Sequence, residues 1–117
     1  MEKIIKIGDK EVTMRATAAT PLHYRNQFNK DLIVELSMME GKELVDLDFG
    51  VFERMAYIMS GAFKDGTSLE DWLEQFDSMT DIIEASAEMI ELWEQNAETR
   101  LQGHSKNAEM VENSTQA

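Results

Sequence analysis

The spacing of apolar residues changes once along this chain, from a short-period pattern to a helical one. Residues 3–7 and 11–15 are β-branched or alternating stretches on either side of Gly8-Asp9-Lys10, the pattern of a β-hairpin closed by a three-residue, glycine-containing loop. After the small residues Ala16 to Ala19, Thr20-Pro21 supplies an N-cap and the proline favoured in a first helical turn. Tyr24, Phe28, Leu32, Leu36 and Met39 then recur every three or four residues, as one buried helical stripe requires. Asn29 is a point at which this segment can divide in two. Gly41 is placed to end it, because glycine readily adopts the left-handed conformation beyond a helix C-terminus.

Asp48 can cap a following helix that reaches about Phe63. Its apolar residues Phe49, Val51, Phe52, Met55, Ala56, Ile58, Met59, Ala62 and Phe63 cover about half of the helical wheel, wider than the ~100° stripe of a surface helix. This helix is expected to be central to the core, with Phe52 on its buried face. Lys64 to Thr67 read as a turn, and Ser68-Leu69-Glu70-Asp71 resembles a capping box with aspartate at the third helical position. A short helix with Leu69, Trp72, Leu73 and Phe76 follows. Thr80 or Asp81 opens a last long helix whose expected inner stripe is Ile82, Ile83, Met89, Ile90, Trp93 and Ala97, with Asp81, Glu84, Glu88, Glu91, Glu94 and Glu98 opposite. Beyond about Thr99 the chain turns to Gln, Gly, Ser, Asn and Thr, with too few large apolar residues to offset the entropy of ordering. The expected fold is therefore mainly α within the α+β class. It comprises a single small helical domain over residues 1–101 that begins with a hairpin at about 3–15, and a disordered tail over 102–117.

Composition changes this picture mainly through charge. Eleven basic and 23 acidic residues give a net charge of -12. Residues 1–30 are basic on balance, with six basic and three acidic groups, and the excess of acid lies beyond them. Such a surface repels phosphate backbones and anionic lipid, so neither nucleic-acid nor membrane binding is expected. Zero cysteines exclude thiol catalysis and cysteine-ligated zinc or iron–sulfur sites, and suit a reducing compartment such as the cytoplasm. The charged opening Met1-Glu2-Lys3-Ile4-Ile5-Lys6-Ile7 interrupts any signal-peptide core, and no run approaches the ~20 apolar residues of a membrane span.

Chemistry finds little foothold. An EF-hand loop begun at Asp46 needs glycine sixth and glutamate twelfth, positions held by Val51 and Tyr57. His23 and His104 are the only histidines, without zinc-ligand spacing, and the helical row of glutamates lacks the inward Glu-x-x-His pairs of a bundle metal site. Phosphate loops, nucleophile elbows and dinucleotide fingerprints are absent from the sequence. The expectation is a non-enzymatic protein with no cofactor and no metal. Nine methionines suit adaptable apolar contacts: Met55, Met59 and Met89 fall on core stripes, while adjacent Met38 and Met39 cannot both face one core. Met38, Met39 and Leu92 lie off or at the margin of the predicted stripes and are the candidate partner-binding residues.

Two groups of segments carry a family resemblance. The first is Arg15-Ala16-Thr17, Thr20-Pro21-Leu22, Tyr24-Arg25-Asn26-Gln27-Phe28 and Lys30-Asp31; the second is Trp72-Leu73-Glu74-Gln75-Phe76-Asp77 with Ile90-Glu91-Leu92-Trp93. Over roughly residues 11–98, in order and spacing, they resemble the tail assembly chaperones of long-tailed bacteriophages infecting Gram-positive bacteria. The resemblance implies a protein of the host cytoplasm that binds the phage tape measure protein during tail assembly, acts as a homo-oligomer, and is absent from the mature virion. It also implies a longer form, made by ribosomal frameshifting, that engages the major tail protein; Ser105-Lys106-Asn107 is a place where adenine-rich codons could support slippage. Glu94 follows Trp93 where the family often has glycine, so the last helix is expected to continue farther here. The alternative functions are an acidic mimic of nucleic acid that inhibits a host protein, using the glutamate row of residues 81–98, and a minor structural protein of the virion.

Overall fold

In a computed structural model of the chain, which describes residues 1–43 and 46–109 and side chains as far as residue 97, a two-stranded antiparallel hairpin precedes five α-helices. Strands β1 (Glu2–Ile7) and β2 (Lys10–Arg15) pair from Glu2 with Arg15 to Ile7 with Lys10. The loop is thus Gly8-Asp9, one residue shorter than expected, because Lys10 joins the ladder. Gly8 has φ +64°, as the first central residue of a tight primed turn requires. Alternation buries Ile5, Ile7 and Met14 completely and leaves Ile4 outside at 59% exposure, as period-two geometry dictates for a sheet with one covered face.

Helices α1 (Thr20–Phe28) and α2 (Leu32–Met39) divide where expected: Asn29 takes φ +56°, and its N–H donates to the Arg25 carbonyl. Pro21 occupies the first turn of α1, while Thr20 turns inward, its hydroxyl oxygen accepting the Thr17 N–H at 2.9 Å. Helix α3 (Gly50–Ser60) buries Val51, Phe52, Met55, Ala56, Tyr57, Ile58 and Met59. It is the central helix, in contact with β2, α1, α2, the short α4 (Leu69–Leu73) and the last helix α5 (Met79–Glu109). Asp48 caps its approach by accepting the Gly50 N–H at 3.0 Å. The helix ends earlier than the apolar run suggests, because Gly61 adopts φ +80° and diverts the chain into a 3-10 turn over Ala62–Asp65. Ser68 caps α4 by accepting the Asp71 N–H at 3.1 Å, and Trp72 then packs edge-on against Tyr57 and Phe76.

Helix α5 (Met79–Glu109) crosses the hairpin and α3. Its buried line is Ile82, Ala85, Met89 and Leu92, which shares Ile82 and Met89 with the expected stripe but is rotated from it by a fraction of a turn. Ile90 and Trp93 lie at the edge of the core, half-buried. A row at steps of three and four faces both the hairpin and α3, so the side chains between those two surfaces are the ones enclosed. The backbone of α5 remains helical past Glu94 and through residues 102–109 of the segment expected to form the tail; residues 110–117 lie outside the described residues. The side chains of Glu98 and His104, and the proposed slippage residues, fall beyond the described side chains. Among the described residues, no helix is long and apolar enough to cross a membrane.

Candidate functional site: an apolar groove beside α2

Among the described residues, α2 carries three of the exposed large apolar side chains. Its sequence, Leu-Ile-Val-Glu-Leu-Ser-Met-Met, is mostly apolar, yet only Leu32 is buried. Ile33, Val34 and Met38 are 57%, 49% and 61% exposed. Single exposed apolar residues are ordinary, but three on one eight-residue helix form a continuous patch of the kind associated with partners. The helix starts where it does because the Asp31 carboxylate accepts the Val34 N–H at 3.1 Å, satisfying a donor that the first turn leaves free.

Beside this patch, α2, α3 and α5 splay to leave a groove of about 420 Å³. Ile33, Leu36 and Met39 form one wall, Phe52 the floor, and Ile90 with Trp93 the other wall. Glu40 and Glu94 stand on its rim. Such a volume lies in the usual range of ligand clefts, and a trough between helices with aliphatic and aromatic walls suits the apolar face of another helix.

A polar network holds α2 in place over this groove. Tyr24 on α1, which is fully buried, donates its hydroxyl to the Glu35 carboxylate on α2. Arg54 on α3 donates from Nε to the Tyr24 hydroxyl at 2.8 Å and faces Glu35 at 3.4 Å and Asp48 at 3.6 Å. Burial, reinforced by the neighbouring Glu35, pushes the Tyr24 phenol well above its usual range, while Arg54 acts in the opposite sense. Burial also opposes the charge on Arg54, but its contacts with Tyr24, Glu35 and Asp48 outweigh that cost and hold the guanidinium ionised. Three helices and the loop before α3 are thereby tied through one partly buried set of charge-assisted hydrogen bonds.

The acidic row of α5 is less uniform than its sequence implies. Lys3 of β1 reaches Glu88 at 3.2 Å and Glu91 at 3.7 Å. Its ammonium is held above the usual lysine range, chiefly by the hydrogen bond to Glu88. The hairpin thus brings a cation into the middle of the glutamates. Among the described residues no cluster of three histidine, aspartate or glutamate side chains is spaced to hold a metal ion.

The candidate contact residues separate. Met38 is exposed on the outer face of α2, and Met39, its neighbour, is half-buried and lines the groove. Leu92 is only 3% exposed and belongs to the core, so it cannot touch a partner. Trp93, expected within the inner stripe, takes the groove position instead. The exchange follows from the 100° that separates successive helical residues: turning Leu92 toward α3 necessarily moves Trp93 to the side. Ile33 and Val34 were not singled out in the sequence and Leu36 was read only as part of the buried stripe, although the absence of any charged residue but Glu35 within α2 marked it as a helix without a fully polar face. No protein-family model, curated protein or solved structure matches this chain.

Proposed function

We propose that this chain is a non-enzymatic binding protein that shields an apolar helical segment of a partner, and that it serves as a tail assembly chaperone for a phage tape measure protein. The single observation that carries the binding reading is the exposed apolar patch of Ile33, Val34 and Met38 on α2, which adjoins through Ile33 the groove walled by Trp93. Helical clients present apolar stripes that such a trough can cover, and an acidic surface keeps the complex soluble. The phage assignment rests on the resemblance of residues 11–98 described above. In this reading the protein works in the host cytoplasm, leaves before the virion is complete, and gains avidity by assembling several copies along a long client. A frameshifted form would add contact with the major tail protein.

The acidic-inhibitor reading is weaker, because Lys3 neutralises part of the glutamate row that a nucleic-acid mimic would present. A minor virion component has no supporting feature in the groove. Co-expression tests the proposal. The tape measure protein should remain soluble and co-purify with the chain, and Ile33→Asp with Met38→Asp should abolish capture while leaving the helical circular dichroism unchanged. A tape measure protein equally soluble alone, or retained equally by the double variant, would refute the role assigned to α2.

A further inference from the structure

A second cleft lies away from the groove, where β2, the start of α1 and the end of α3 meet. It measures about 320 Å³. In a chain with 23 acidic and 11 basic residues, no aspartate or glutamate lines it among the described residues, whereas Arg15, His23 and Lys64 all do. Its apolar lining is Ile58, Met59 and Phe63. Phe63 is the common reference for two of the polar groups: the His23 ring centroid is 4.8 Å from that of Phe63, and Lys64 Nζ lies 5.8 Å from it. The imidazole and the ammonium therefore stand around one aromatic ring. Arg15 faces Glu2 at 3.6 Å, but both side chains are about three-fifths exposed, so that pair is readily exchanged for a better anion.

Thr20 gives a separate indication. It is the buried polar side chain of the described core, 3% exposed, and it lines this cleft. Its hydroxyl oxygen accepts from the Thr17 N–H at 2.9 Å, yet its own O–H has no acceptor among the described residues. Buried hydroxyls usually use their donor. An anionic oxygen in the cleft would supply the acceptor and would meet donors from Arg15, Lys64 and a His23 ring N–H.

We infer that this cleft binds a small organic anion, a phosphate or carboxylate head joined to a compact apolar body, with Arg15, His23 and Lys64 around the head and Phe63, Ile58 and Met59 against the body. The site is independent of the α2 groove and of the function proposed for it. The negative charge of the rest of the surface discourages anions elsewhere, so specific binding stands out.

NMR titration of the full chain tests the inference with four probes: phenyl phosphate, benzoate, inorganic phosphate and benzyl alcohol. Phenyl phosphate or benzoate should shift the His23 ring protons and the Lys64 amide saturably, and the tighter of the two identifies the head group. Inorganic phosphate, lacking the body, should bind about tenfold more weakly, and benzyl alcohol, lacking the charge, should leave these signals in place. Arg15→Gln and Lys64→Gln should each weaken the organic anion by about tenfold, the scale of one lost charge-assisted contact. Because Lys64 lies in a surface turn, its variant keeps the test valid if Arg15→Gln disturbs the hairpin. Unmoved His23 signals with both organic anions at about 10 mM, far above saturation for a useful site, would overturn the inference, as would unchanged affinity in Lys64→Gln.

Discussion

Exchanging the roles of Leu92 and Trp93 has a measurable consequence, because the two residues are adjacent on α5 and differ in what surrounds them. Leu92 is 3% exposed in the line that includes Met89 and Ala85. Leu92→Ala removes three side-chain carbons from that line, worth about 2.5 kcal/mol of transfer free energy. The core around it is helical and hairpin backbone that cannot collapse fully, so a residual cavity raises the expected loss to about 3 kcal/mol. Trp93 is far larger, and in a fully enclosed position its loss would cost about 3–5 kcal/mol. One side of its indole already faces the open groove, so Trp93→Ala deletes fewer packed contacts and leaves no closed void; about 1–1.5 kcal/mol is expected. Urea denaturation followed by far-ultraviolet circular dichroism separates the two without relying on tryptophan fluorescence. In thermal unfolding the Leu92 variant should melt roughly 12 °C below the parent and the Trp93 variant roughly 5 °C below it, at roughly 4 °C per kcal/mol for a domain of this size. If Trp93→Ala proves the more destabilising at unchanged m-value, the phase assigned to α5 is wrong, and the groove with it. If the phase is right, Trp93→Ala should instead impair client capture more than its small stability change can explain.

Three further outcomes follow from the network and the hairpin. Arg54→Met leaves the Glu35 carboxylate facing a buried phenol without its cation and should cost about 2–3 kcal/mol, less than a fully buried pair because both side chains retain some solvent contact; a double-mutant cycle with Glu35→Gln should show coupling of at least about 1 kcal/mol, and additivity would contradict the network. The raised phenol of Tyr24 means that above pH ~10 the unfolded chain releases this proton while the folded chain keeps it, so stability is flat below that pH and falls above it by up to about 1.4 kcal/mol per pH unit. Denaturation midpoints measured through this range should fall less steeply in Tyr24→Phe, leaving the smaller slope of Tyr57, whose phenol burial also raises; an unchanged slope would contradict it. Gly8→Ala places a Cβ at φ +64° and 2.6 Å from Asp81 Oδ2, so it should destabilise by about 1–2 kcal/mol, and Asp81→Ala in the same chain should recover only the steric part.

Elements whose determinants are local could be read from the sequence alone. The hairpin follows from β-branched alternation around Gly8-Asp9, the division between α1 and α2 from Asn29, and the start of α4 from Ser68, because each depends on residues within a few positions of one another. The central place of α3 was legible too, since a helix apolar on half its circumference has to be surrounded. Where local signals compete, the sequence was less decisive: Lys10 pairs with Ile7 rather than entering the loop, and Gly61 stops α3 inside a run that remains apolar through Phe63. The facing of α5 lay beyond local reasoning altogether. Its apolar residues span an arc broad enough to centre on either Leu92 or Trp93, and the choice depends on where β1 and α3 press against it. The same holds for the groove and the polar tie above it: Tyr24, Glu35 and Arg54 meet across separations of 11, 19 and 30 residues. Charge and helical period are properties that neighbours in sequence share, whereas enclosure is conferred by distant segments, and so only the tertiary structure decided which apolar residues of this chain are core and which remain available to a partner.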